Sequence, residues 1–196
     1  MKPRDVLLAS TAAGLALGGL TWLATRLFTD VGPVEPVHIG DRLPEMTGAT
    51  LAGTVLHLPH DLVGRVAVLM LGDKYDARYE VADWAHAVAA IAGECDDLAY
   101  FQVALISGVG PVMRKVIDTA MVRGTEPAER GHVLTVYGDL RELRKRLALS
   151  GRPHATVLVL GRTGRIAWRG EGGVSAERRD ALAAALQAQG IDVAQV

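Results

Sequence analysis

Residues 147–173 read LALSGRPHATVLVLGRTGRIAWRGEGG, and their pattern decides the fold. Residues 156–160 form a short apolar run rich in valine and leucine, and residues 165–168 form a second extended stretch. Between them stands Gly161-Arg162-Thr163-Gly164, a polar turn that suits a hairpin. Pro153 sits at the entrance to the first strand. After the second, Ser175 can cap a closing helix in which Leu182 and Leu186 recur at helical spacing before Gly190.

Upstream, strands and helices alternate. Residues 50–58 suggest a short hairpin around Ala52-Gly53, and residues 66–71 a buried strand. Asp76 is expected to cap a helix carrying Val81, Trp84, Val88 and Ile91 on one face and stopping at Gly93. Residues 98–106 form the next strand. Pro111 then opens a helix with Val112, Met113, Val116, Ile117, Ala120 and Met121 on one face and Gly124 after it. Residues 132–137 give a further strand, and Asp139 with Glu142 makes a D-x-x-E capping arrangement at the head of a helix through Leu147. Strands alternating with helices, followed by a hairpin and a closing helix, imply an α/β domain with a mixed sheet.

The chain has 196 residues, 49% hydrophobic and 22% charged, enough for one well-filled core. Only 5% are aromatic, so that core must be mainly aliphatic. A formal net charge of −1 removes the global electrostatic case for nucleic acid. The single cysteine, Cys95, excludes an intrachain disulfide and any C-x-x-C motif.

Residues 6–25 contain no charged side chain and are about long enough to span a bilayer as a helix. Residues 1–28 are therefore read as an N-terminal membrane anchor, the alternative being a signal peptide. Leu23-Ala24-Thr25 makes a poor cleavage site, which favours a retained transmembrane helix. Lys2 and Arg4 favour a cytoplasmic N-terminus and an extracytoplasmic (periplasmic) domain, although Arg26 opposes them. Residues 29–46, with Pro33, Pro36 and Pro44, read as an extended linker to a domain over 47–196.

Residues 147–173 resemble the second half of a thioredoxin-like domain, in which a cis-proline opens a strand, a hairpin follows and a last helix covers the sheet. Pro153 would be that proline. Residues 39–69, IGDRLPEMTGATLAGTVLHLPHDLVGRVAVL, resemble the lead-in of membrane-tethered and peroxiredoxin-like members. The likeness spans roughly residues 38–190 and implies a thioredoxin-like mixed sheet flanked by helices. In redox-active members the turn after the first central strand carries C-x-x-C or a peroxidatic cysteine. Here it reads Asp73-Lys74-Tyr75-Asp76-Ala77-Arg78, which can form neither thiolate nor disulfide. Residues 123–182 further resemble the C-terminal half of a mitochondrial ATP synthase assembly-factor family, through Ile166, Trp168, Gly170 and Gly172 among others. Residues 63–78 resemble an exported bacterial thioredoxin-like family. Both likenesses imply a role in binding a protein partner or in assembly, by analogy of fold.

A redox-inactive, membrane-anchored binding domain is therefore expected, with Asp73, Tyr75, Arg78, Arg152, Pro153 and His154 as its candidate groove. No catalytic residue, cofactor or metal is expected. His57 and His60 should point to opposite faces of a strand, and His86 to solvent. Asp73 and Asp76 read as helix-capping residues. Arg141, Arg144, Lys145 and Arg146 read as a solvated helix face, with contact to anionic lipid as the other reading. The opposing hypothesis is a thiol reductase or peroxidase acting through Cys95, although that residue follows a helix end, where nothing lowers its pKa.

Overall fold

The structure, a computed structural model, describes residues 35–92, 95–149, 151 and 153–193. The expected anchor over residues 1–28 and the start of the linker lie outside the described residues. No helix among the described residues is long and apolar enough to cross a membrane.

Seven strands are described: β1 (Met46–Thr50), β2 (Val55–Leu58), β3 (Val66–Gly72), β4 (Leu98–Ser107), β5 (Val133–Gly138), β6 (Ala155–Leu160) and β7 (Ile166–Glu171). They form one mixed sheet in the order β2-β1-β5-β4-β3-β6-β7. The helices are α1 (Arg78–Ala92), α2 (Pro111–Gly124), α3 (Arg141–Arg146) and α4 (Ala176–Ala188).

The centre of the sheet follows from composition. VAVLMLG in β3 has no polar side chain, as suits a strand covered on both faces. It pairs parallel with β4 and antiparallel with β6, Val66 to Leu98 at one end and Gly72 to Ala155 at the other. On one face, alternate residues of β3 meet Leu43, Leu58, Leu143 and Leu147. On the other they meet Val81, Trp84 and Val88 of α1 with Leu182 and Leu186 of α4. Each aliphatic side chain so buried contributes roughly 1.5–3 kcal/mol of transfer free energy.

Several local expectations shift. The N-terminal hairpin starts at Met46, and Ala49 and Thr50 also pair with β5. Gly48 lies against that neighbour so closely that a Cβ there would sit 2.7 Å from the Thr135 carbonyl oxygen. Gly48→Ala is expected to destabilise the domain by about 1–3 kcal/mol, because a backbone atom cannot step aside as a side chain does. Chemical denaturation of the two proteins measures this.

Asp76 does not cap α1. It lies inside a 3₁₀ turn, Tyr75–Ala77, with Lys74 at the cap position and no side-chain cap bond. At α3, Leu140 occupies the cap position. Asp139, one residue earlier, instead accepts from the backbone N–H and guanidinium of Arg141. That guanidinium holds the Asp139 carboxyl down at about 2. Ser175 does cap α4, its Oγ accepting from the Arg178 N–H at 3.2 Å.

The larger difference is α2. It forms over the expected residues, yet none of them is buried, and Val112 is 81% exposed. Its attachment explains this. Tyr137 of β5 donates its hydroxyl to Asp118 at 2.7 Å, and the Arg114 guanidinium lies 5.2 Å from the Tyr137 ring centroid. Burial and the Asp118 carboxylate push the Tyr137 phenol well above its ordinary range, keeping it a donor. These polar contacts hold the helix over β5, while Ile117 and Met121 remain only half-buried.

Candidate functional site

The residues between β3 and α1 occupy the end of the sheet at which Gly72 pairs with Ala155. Asp73 leaves β3 and turns inward. Its carboxylate accepts a hydrogen bond from Arg144 Nε, and its side chain is 7% exposed against 23% for Arg144. The remaining guanidinium nitrogens of Arg144 donate to Ser107 Oγ at 2.7 Å and to the Leu105 carbonyl at 3.2 Å. One cation from α3 therefore ties together the ends of β3 and β4.

This corrects two expectations. Asp73 is an ion-pair partner and not a helix cap. Arg144 is drawn in from what reads as a solvated run, because Leu143 and Leu147 bury α3 against the sheet and orient its next side chain toward the strand ends. Arg141 does conform, with a largely exposed side chain paired to Asp139.

Tyr75 and Arg78 stand outside this pair. Tyr75 is 79% exposed and Tyr79 is 62% exposed. The Arg78 guanidinium lies over both rings, 3.6 and 4.0 Å from their centroids, and donates to the Tyr75 carbonyl at 3.0 Å. It also donates to the Tyr79 hydroxyl. The guanidinium and two aromatic rings make a stacked group directed at solvent.

Glu80, absent from the sequence-based set, joins α1 to the start of β6. Its Oε1 lies 2.9 Å from His154 Nδ1, and its Oε2 accepts from the Ala155 N–H at 2.8 Å. One turn further along α1, Trp84 donates to the Gly172 carbonyl at 2.8 Å. Asp73, Tyr75, Arg78 and His154 thus share one end of the sheet, with Pro153 just before β6. Arg152 lies outside the described residues, as does its peptide bond to Pro153, which was expected to be cis.

Beside this group opens a cleft of about 560 Å³, bounded by the ends of β3 and β4, the start of α1 and the inner face of α2. Along β4, Leu98 and Tyr100 are buried in the layer beneath α1. By strand alternation Gln102, Ala104 and Ile106 continue that face, but they are only half-buried because α2 stands off them. Arg144, Asp73, Lys74 and Tyr75 lie at the polar end of the cleft.

Cys95 is remote from all of this. It precedes β4 at the end where Val66 pairs with Leu98, six residues along β3 from Gly72. That is about 20 Å of strand at ~3.3 Å per residue. His57 and His60 are engaged elsewhere, with Thr47 and Asp61 respectively. His86 is exposed, as expected.

Three parallel strands at the sheet centre (β5, β4 and β3), an antiparallel closing hairpin and helices on both faces define a thioredoxin-like fold. Solved structures agree. The putative thiol:disulfide interchange protein DsbE of Chlorobium tepidum superposes with a TM-score of 0.54 at 18% identity, covering 78% of this chain and 98% of that one. BsSco, of the Sco family of cytochrome c oxidase assembly proteins, gives 0.56 at 13% identity, covering 81% and 98%. The pneumococcal exposed lipoprotein thioredoxin Etrx1 of Streptococcus pneumoniae gives 0.51 at 14%, covering 74% and 98%. No protein-family model matches the sequence, and no curated protein is significantly similar to it.

Proposed function

We propose that this chain is a thioredoxin-like domain that binds a protein partner without thiol chemistry, held at a membrane by residues 6–25 and facing the extracytoplasmic side. The observation that carries this reading is the content of the turn after β3. The likeness to redox-active members would put a thiol there, whereas this chain has an Asp73–Arg144 ion pair with Tyr75 and Arg78 open beside it. Tyrosine and arginine are frequent anchors at protein interfaces. Glu80 pins the start of β6 beside this turn by accepting from the Ala155 N–H, which holds His154 at the rim of the same surface.

An assembly role is the finer part of the proposal. The resemblance of residues 123–182 to the ATP synthase assembly-factor family supports it, as does the fold shared with BsSco, itself described as belonging to a family of assembly proteins. An extracytoplasmic location is supported by the basic residues before the apolar segment and by the fold shared with an exposed lipoprotein.

The test is partner capture from detergent-solubilised membranes after crosslinking in place. Replacing Tyr75 and Arg78 together by alanine is expected to reduce capture by at least about tenfold, as for loss of interface anchors. Cys95→Ser is expected to leave it unchanged. Undiminished capture by the double variant, with its melting temperature retained, would overturn the reading.

A further inference from the structure

We infer that the cleft under α2 is a binding site for a single-chain amphiphile with an anionic head, an alkyl carboxylate being its simplest form. This inference does not rest on the protein-partner reading, since its body is the space between α2 and β4, although Tyr75 and Arg78 also line the cleft.

The first support is an unfilled interior. A helix crossing over a sheet normally buries an apolar stripe against it, and protein interiors fill to crystal-like density. Here α2 has an apolar inner side, Ile117 and Met121, opposite an apolar floor, Ala104 and Ile106, with the cleft between them. The helix is held at that separation by Asp118 and Arg114 on Tyr137, so its position does not depend on apolar contact with the floor. A volume of about 560 Å³ lies within the range of small-molecule sites, roughly 300–1,000 Å³.

The second support is the distribution of charge. Four charged side chains line the cleft: Asp73, Lys74, Arg78 and Arg144. The one carboxylate among them is taken up by Arg144. Lys74 is exposed and, among the described residues, has no carboxylate within salt-bridge distance. Among the described residues, the one carboxylate within salt-bridge distance of Arg78 is Asp76, at 3.9 Å. All four charges belong to the end of the cleft at the β3–α1 turn and the strand ends, while its deeper walls are aliphatic apart from Gln102. A ligand matching this layout has an aliphatic body and one negative head set against Lys74. An uncharged chain would leave that ammonium unused, and a polar ligand would leave the walls unmatched.

The test uses the full chain in nanodiscs with a palmitate analogue carrying a diazirine on its chain, and with the corresponding alcohol. After irradiation and proteolysis, label is expected on the segments containing Ala104 and Met121, and excess sodium palmitate should remove it. Ala104→Phe should abolish that label for both probes by filling the floor. Ala120→Phe, from the helix side, serves should the first variant fail to fold. Lys74→Met should reduce labelling by the acid about fivefold, the scale of one exposed charge pair, and leave the alcohol unaffected. Label confined to residues 6–25, or label in the cleft segments that neither competitor nor filling variant reduces, would overturn the site. Equal behaviour of acid and alcohol toward Lys74→Met would overturn the anionic head. Displacement of the probe by a bound protein partner and not by palmitate would overturn the ligand class.

Discussion

Trp84→Ala is expected to lower the stability of the domain by about 4 kcal/mol, within the range for removing a buried large aromatic side chain. Trp84 is fully buried between β3 and α4. Its indole N–H is also the donor to the Gly172 carbonyl, joining α1 to the end of β7 across 88 residues of sequence. The variant therefore loses packing and leaves a carbonyl without its partner. For a domain of this size the expected fall in thermal midpoint is on the order of 10 °C. Trp84→Phe separates the two causes, because it keeps most of the ring volume but not the donor. Its expected cost is about 1–2 kcal/mol, the scale of one hydrogen bond left unmade. Denaturant unfolding of the three proteins measures both. A loss under about 1 kcal/mol in the alanine variant would contradict the described core, in which large apolar side chains rarely cost so little.

Arg144→Ala is the second large effect, expected at about 3 kcal/mol. Most of this arises from what remains, since Asp73 would keep a nearly buried carboxylate with its guanidinium partner gone. Ser107 and the Leu105 carbonyl lose their donor as well. Removing both charges, as Asp73→Asn with Arg144→Met, should recover a large part of the loss, because the unpaired charge causes it. Equal stability of Arg144→Ala and the parent at neutral pH would contradict the buried pair.

The two predictions rest on contacts that differ in how far the sequence announces them. Trp84 falls on the helical repeat shared by Val81 and Val88, so its burial is legible; its bond to Gly172 is not, because no local pattern brings residues 84 and 172 together. The strands of the sheet centre are legible for a similar reason. β3 is a short unbroken apolar run and β6 is one apart from Thr156, and a strand covered on both faces has that composition.

Arg144 shows where local reading ends. In RELRKR every cation is equally free to face solvent, and periodicity alone makes the run a solvated face. What singles out Arg144 is Asp73, 71 positions away, whose carboxylate would otherwise be almost buried alone. A carboxylate at the end of an apolar strand is a request for a cation, but the sequence does not say which one answers. Glu80 is the same case, since its partners His154 and Ala155 are brought to it by the pairing of β3 with β6.

The α2 helix departs in the opposite direction. Its apolar positions recur at helical spacing, and the helix forms over the expected residues. Amphipathic spacing normally reports burial, and here it does not. The cause lies in Asp118 and Arg114, polar positions on the same helix that bind Tyr137 and fix its height above the sheet. The candidate groove was legible through resemblance more than through pattern. Pattern marks the turn at 73–78 as the break between an apolar strand and a helical repeat, likeness to members that carry a thiol there marks its role, and Tyr75 stands exposed at it with Arg78 over its ring.

The central claim is that the sheet end at Tyr75 and Arg78 engages a protein partner and needs no thiol. It is tested most directly by photo-crosslinking from position 75 in membranes, using the full chain with Cys95→Ser and a benzophenone amino acid at that position. Position 162, in the hairpin turn at the opposite end of the sheet, supplies the comparison. The account predicts one defined crosslinked protein species from position 75, none from position 162, and loss of the species when Arg78→Ala is added. Equal crosslinking from both positions, or a species indifferent to Arg78→Ala, would contradict it, as would a species that forms only when Cys95 is present.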